Sequence, residues 1–253
     1  MKGTGLVRRA TAFVCLLCCL RYLTVGSPVP FDDSTREKES GRASVVHTSL
    51  GDIAGKREGQ VNVFLGIPFA EPPTGTFRFR PPRPKRPWAP STYQAHSYSP
   101  ECLQSSLYTS SDGTEREDGI VRDEDCLYLN VWVPANHNFN EKGLLPVMFW
   151  VYGGAFMHGS ASKPEYVGDQ LASRGVILVS CNYRMGALGF LVSTTDGLFG
   201  NYGLADQKLA MMWVQEHVRN FGGDPTRVTL FGESAGAMSI YFKKPSQYLL
   251  IVS

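Results

Sequence analysis

Near the end of the chain an apolar, β-branched run, Val228-Thr229-Leu230-Phe231, leads into Gly232-Glu233-Ser234-Ala235-Gly236. A serine flanked at two residues' distance by glycines suits a sharp strand-to-helix turn that lifts its hydroxyl clear of a sheet, as a serine nucleophile requires. The glycines omit the Cβ atoms that would clash where the backbone doubles back. A helix beginning just after Ser234 would aim its first N–H groups at the same point and favour developing negative charge there. An ordinary Gly/Ser turn is the alternative reading. The buried-type strand in front of the pentad favours the nucleophile.

The elements that must hold such a serine are legible as a pattern. Residues 127–133, 147–152, 176–181 and 228–231 are near-continuous apolar runs, which belong in a sheet covered on both faces. Between the last two, residues 204–221 carry Ala210, Trp213, Val214, His217 and Phe221 at helical spacing, so one helix face packs on the sheet. His217 lies on that stripe and reads as an interior histidine rather than a catalytic one. Gly222-Gly223-Asp224-Pro225 ends the helix. Strand-helix alternation of this kind means an α/β fold with a mainly parallel central sheet and flanking helices. Ahead of it, short strands at 45–48, 52–55 and 61–64 suggest a small N-terminal antiparallel meander. The proline-rich stretch 67–84 is interleaved or closely followed by Phe69, Phe77, Phe79 and Trp88, which predicts a packed, irregular covering segment instead of a solvated linker.

Composition bounds the function classes. The 253 residues are 43% hydrophobic, enough for a sizeable core, and 25 basic against 23 acidic residues leave a net charge of +2. That balance argues against a dedicated nucleic-acid surface. Lys2, Arg8 and Arg9 precede an apolar stretch of 11 residues at 10–20, and small residues Thr24 and Gly26 stand before Ser27. This reads as a secretory signal peptide over 1–26, too short to span a membrane. A polar, flexible lead-in is expected over 27–43. The mature chain would be secreted or lumenal, without a stable membrane span. Of 6 cysteines, Cys102, Cys126 and Cys181 fall outside the signal. The first two are natural partners across a polar loop in an oxidising compartment, and Cys181, inside an apolar run, reads as a small buried hydrophobe.

Several blocks are specific in their order: Phe64-Leu65-Gly66-Ile67-Pro68-Phe69-Ala70-Glu71-Pro72-Pro73, Glu124-Asp125-Cys126-Leu127-Tyr128-Leu129-Asn130-Val131, Val151-Tyr152-Gly153-Gly154-Ala155-Phe156, Asn182-Tyr183-Arg184, and Gly203-Leu204-Ala205-Asp206-Gln207. The last is Phe221-Gly222-Gly223-Asp224-Pro225 leading to the serine pentad. On these blocks the sequence resembles the type-B carboxylesterase and cholinesterase family of α/β-hydrolases across residues 51–239. The resemblance implies an incomplete α/β-hydrolase domain over 44–242, ending after the nucleophile elbow, with a divergent tail over 243–253. It implies that Ser234 attacks the carbonyl of a small-molecule carboxylic ester to form an acyl-enzyme, with no metal or organic cofactor. By the same resemblance Gly154, Ala155 and Ala235 supply the N–H groups of an oxyanion hole, and Cys102 and Cys126 match the family's first disulfide.

Two departures from the family pattern bear on activity. The segment between Cys102 and Cys126 contains no tryptophan, where cholinesterases carry one that binds a quaternary ammonium by cation–π contact. A general carboxylesterase is therefore expected, not a choline-ester hydrolase. The family's order is serine, acid, histidine, yet only 19 residues follow Ser234, and His47, His96, His137, His158 and His217 all precede it. The chain is thus expected to be a truncated form lacking the triad acid and His, and inactive alone. It is also expected to leave the far edge of the elbow strand unpaired. The reading from another class is a non-catalytic, cholinesterase-like adhesion or binding protein.

Overall fold

A computed structural model of the chain describes residues 44–104, 119–137, 143–243 and 249–252, all within the unit Glu39–Ser253. The expected signal peptide and lead-in, and most of the polar loop after Cys102, lie outside the described residues. β1 (Val45–Thr48) and β2 (Gly51–Ala54) form a tight antiparallel hairpin. β3 (Lys56–Glu58) and β4 (Val61–Pro68) form a second, and β5 (Thr92–Gln94) returns parallel to β2. The expected meander therefore divides. β1 and β2 pair with β5, whereas β3 and β4 join the main sheet, because β4 is buried along nearly its whole length and needs a partner on its free edge. The proline-rich stretch between β4 and β5 packs as expected: Phe69 is buried, Arg83 lies 4.3 Å over the Phe77 ring, and Trp88 Nε1 donates to Asp52 O at 3.0 Å.

After the short parallel pair β6 (Glu101–Cys102) and β7 (Arg122–Asp123), the apolar runs become the central strands. In chain order these are β8 (Tyr128–Pro134), β9 (Leu145–Val151), helix α1 (Asp169–Ala172) and β10 (Ile177–Cys181). Helix α2 (Gly186–Phe190), the hairpin β11 (Val192–Ser193) and β12 (Leu198–Phe199), and helix α3 (Tyr202–His217) follow. β13 (Gly223–Gly232), α4 (Ala235–Lys243) and β14 (Leu249–Val252) complete the described chain. The sheet runs β14-β13-β9-β10-β8-β4-β3. Its first four strands are mutually parallel and the others antiparallel. Every residue of β10 is buried, as a strand covered on both faces requires.

Polar groups inside this sheet are matched locally. β4 bulges between Phe64 and Ile67, which would orphan backbone groups against β8. Asn130 on β8 repairs the gap: its Oδ1 accepts from Gly66 N at 2.9 Å, and its Nδ2 donates to Ser180 Oγ at 3.2 Å. Helix α3 covers the sheet through Ala210, Trp213, Val214 and His217, and it ends through a 3₁₀ turn at Gly222 with φ 83°. Cys181 is fully buried, matching its reading as a small hydrophobe.

One expectation is corrected. The far edge of β13 is not open, because Thr229–Gly232 pair in parallel with Leu249–Val252. The apolar run Leu249-Leu250-Ile251-Val252 has the composition of a buried strand, and the elbow strand offers it an edge.

Candidate active site

β13 carries Ser234 to the end of the sheet, and α4 leaves directly after it. Ser234 sits at φ 53°, in the left-handed region that costs a non-glycine residue about 1–2 kcal/mol. The turn closes with Gly236 N donating to Glu233 O at 2.9 Å and Met238 N to Ser234 O at 3.0 Å. Its two glycines lie against the end of β9. A Cβ at Gly232 would stand 2.6 Å from Val151 O, and one at Gly236 would overlap Val151 O and approach Tyr152 O to 2.7 Å. The serine side chain is exposed, and its hydroxyl makes no hydrogen bond among the described residues.

The chain leaving β9 meets this turn directly. A Cβ at Gly153 would lie 2.9 Å from Ser234 Cβ and 2.6 Å from Glu233 O. Gly154, Ala155 and Phe156 then follow at φ 113°, 54° and 61°, held by Met157 N and His158 N donating to Gly154 O at 3.0 and 3.1 Å. Among the described residues the N–H groups of Gly154, Ala155 and Ala235 donate no hydrogen bond. Ala235 is buried, and an unpaired N–H there costs about 1–3 kcal/mol unless an acceptor arrives. A negatively charged oxygen beside Ser234 is such an acceptor, and donors fixed in advance stabilise it most.

The loop and the elbow are braced from behind. Tyr152 and Tyr183 stack with centroids 4.6 Å apart, and Tyr183 Oη donates to Tyr152 O at 2.9 Å. Burial raises both phenol pKa values, so the pair stays neutral. Gln104 bonds Gly159 N at 2.6 Å and Gly159 O at 2.9 Å, tying the glycine-rich loop to the segment after Cys102. Cys102 and Cys126 form a disulfide. Arg184 donates to Asp206 through its backbone N (3.0 Å), Nε (2.8 Å) and Nη2 (2.7 Å), joining the end of β10 to α3. Gln207 Nε2 bonds Ser239 Oγ, which donates to Ala235 O, so α3 also grips the elbow helix.

Residues 42–248 match the model of the carboxylesterase family. The chain belongs to the carboxylesterase family. It is 48% identical over 206 residues to a fumonisin B1 esterase of Sphingopyxis macrogoltabida, covering 78% of this chain and 36% of the relative. It is 47% identical over 208 residues to an acetylcholinesterase of Electrophorus electricus, covering 77% of this chain and 32% of the relative. A solved thermophilic PNB esterase superposes with a TM-score of 0.69 at 42% identity, over 78% of this chain and 40% of that one. The fold is that of an α/β-hydrolase, in part. The chain spans about a third of the length of the curated relatives it matches.

Within this carboxylesterase-family chain the histidines are dispersed. His47 bonds Asp52, His137 bonds Gly143 O, and His217 is buried against Trp213 with its pKa lowered by that burial. His158 packs on Gly154, its Nδ1 buried and without a hydrogen bond among the described residues. None of the described histidines bonds Ser234. No cluster of three His, Cys, Asp or Glu side chains that could hold a metal occurs among the described residues, and no described helix is long and apolar enough to cross a membrane.

The structure brings Gly153, at the start of the glycine-rich loop, against Ser234 from a stretch about 80 residues away. It also reveals a cleft of about 330 Å³ beside Ala155, lined by Phe156, Met157, Gly186, Phe190, Asn201 and Leu204. Nothing in the periodicity marked these residues as neighbours, although the motif blocks bracket them.

Proposed function

We propose that the chain carries the nucleophile and oxyanion hole of a serine hydrolase acting on carboxylic esters. Ser234 Oγ attacks the ester carbonyl carbon as a base takes its proton, the C–O bond to the alcohol breaks with that proton passing to the departing oxygen, and water then hydrolyses the acyl-serine to the free acid. The N–H groups of Gly154, Ala155 and Ala235 hold the oxygen that becomes negative in both steps. The observation that carries this reading is the left-handed serine at a strand-helix junction, exposed and against a loop in which the N–H groups of Gly154 and Ala155 donate no hydrogen bond among the described residues. The family relationship and the esterase relatives support it.

None of the described histidines bonds Ser234, so the reading includes a general base from outside the described residues. Without one, turnover falls by about a millionfold in comparable triad enzymes. The 253 residues alone are therefore expected to turn over esters at a trace rate. Secretion, suggested by the basic-then-apolar N-terminus and by the disulfide, belongs to the same reading.

Prolonged exposure to a fluorophosphonate in excess tests the proposal. A covalent adduct on Ser234, absent in Ser234→Ala, is the expected result. An unreactive Ser234 in folded protein would favour the non-catalytic binding reading instead.

A further inference from the structure

The proline-rich stretch presents a row of cations on a stiff backbone. Residues 78–86 carry Arg78, Arg80, Arg83, Lys85 and Arg86, while Pro81, Pro82, Pro84 and Pro87 each fix φ at about −65°. The stretch is pinned from one side as well, since Glu71 N donates to Arg83 O at 2.9 Å and Lys85 N to Phe69 O at 3.2 Å. Phe79 stands at φ 53° between two arginines with different fates. Arg78 bonds Glu124 through Nε (2.5 Å) and Nη2 (2.6 Å), whereas Arg80 is exposed and makes no ion pair among the described residues. Arg83 is exposed too and has no carboxylate partner among the described residues, its guanidinium held 4.3 Å over the Phe77 ring.

Two carboxylates answer only part of this charge. Glu71 is shared by Lys85 at 4.0 Å and Arg86 at 3.3 Å. The Arg86 N–H and the Arg78 guanidinium hold the Glu71 and Glu124 carboxyls below the usual range, so both stay charged. The surplus is the charge of Arg80, of Arg83, and of one cation left over from Lys85 and Arg86. Guanidiniums match oxyanions with a planar fork, and a backbone already fixed loses little freedom on binding.

We propose that Arg80, Arg83 and Arg86 form a binding surface for a linear sulfated polysaccharide. A membrane suits it less, because Phe77, Phe79 and Trp88 are half-buried and no large apolar side chain of residues 71–90 is exposed for insertion. Single-stranded nucleic acid finds no exposed ring to stack on, for the same reason. A groove that reads polyproline is blocked on one side, where Arg83 O and Lys85 N are paired with residues 69–71. Recognition by charge along an extended line remains, and a sulfated chain offers anions without apolar contact. A secreted chain would meet such polymers outside the cell. This surface does not depend on Ser234 or on ester chemistry.

Calorimetric titration of the 253-residue chain with a heparin dodecasaccharide tests the proposal. Heparin should bind, and its Kd should rise steeply with NaCl as counterions return to the polymer. Arg80→Gln/Arg83→Gln should weaken binding about 25-fold, at about fivefold for each cation facing a polyanion. The slope of log Kd against log salt should fall by about 1–2 in the same variant. Arg80→Gln alone should cost about fivefold. Arg80 holds no other described side chain by a hydrogen bond or ion pair, so this arm does not depend on the Arg83 variant folding. Arg174→Gln/Lys208→Gln removes the same charge from exposed positions elsewhere and should change Kd by less than about twofold, because salt screens distant charges. Absence of heparin binding, an equal loss in that control, or equally tight binding of unsulfated hyaluronan would each overturn the proposal. Tighter binding to phosphatidylserine vesicles or to oligothymidylate, lost with the same arginines, would overturn it in favour of that partner.

Discussion

Gly153 and Ser234 stand so close that a single added methyl group at the glycine would come within 2.9 Å of the serine Cβ. The contact joins the end of β9 to the turn after β13, which are neighbours in the sheet. Gly153 therefore sets where Ser234 can sit relative to the N–H groups of Gly154 and Ala155.

The expected outcome of Gly153→Ala is a shift of the elbow away from the loop. Overpacking of this kind costs about 1–3 kcal/mol. Thermal or urea unfolding should report that loss. The fluorophosphonate adduct on Ser234 should weaken by more than unfolding explains, since the folded fraction is held near unity at low temperature.

Replacing the serine by glycine separates strain from chemistry. Left-handed φ costs serine about 1–2 kcal/mol and glycine little, while glycine loses about 0.5–1 kcal/mol more chain entropy. Ser234→Gly should thus be as stable as the wild type or more stable by up to about 1.5 kcal/mol, and it should take no fluorophosphonate. Denaturant midpoints measured beside Ser234→Ala, which keeps the strain, would show the difference. A clear destabilisation by glycine would contradict the strained-elbow account.

How much of this was readable beforehand depends on the kind of interaction. The elbow was legible because its constraint is local: glycines at fixed offsets around Ser234, behind an apolar strand. The helix over 202–217 and its glycine stop were legible for the same reason, since Ala210, Trp213, Val214 and His217 repeat at the helical period. The fate of β3 and β4 was not, because a short alternating strand suits either a separate meander or a sheet edge, and only the partner decides. Pairing of 249–252 with β13 was missed because resemblance faded there while the apolar composition still favoured a strand. Cleft residues Phe156, Phe190 and Leu204 come from three separate segments, and no periodicity brings those together.

Asp206 is fully buried and receives three hydrogen bonds from Arg184. Asp206→Ala would strand a buried guanidinium, and breaking such a pair costs about 3–5 kcal/mol. Urea unfolding should record a loss of that size. A change under about 1 kcal/mol would show that water reaches Arg184 in the folded chain.

The Cys102–Cys126 disulfide closes a loop with a sequence separation of 24. Loop-closure entropy assigns a link of that length about 3 kcal/mol. The double variant Cys102→Ala/Cys126→Ala should lose about that much in denaturant unfolding, and it should also free Gln104 from Gly159, loosening the glycine-rich loop.

Burial lowers the pKa of His217, outweighing the opposing pull of Glu216 at 3.9 Å. The unfolded chain then takes up a proton at a pH where the folded chain does not, so stability is full above about 6.5 and declines as pH falls through and below it. His217→Phe should reduce that decline in unfolding experiments between pH 7 and 5. An unchanged slope would place the acid sensitivity elsewhere.

The most direct test of the central claim is mass-spectrometric mapping of the fluorophosphonate adduct on the folded 253-residue chain. The account predicts slow but site-specific phosphonylation at Ser234, driven by the elbow and its N–H donors, absent in Ser234→Ala and diminished in Gly153→Ala. Modification spread over other serines, or none at Ser234 in protein whose circular dichroism shows it folded, would contradict it.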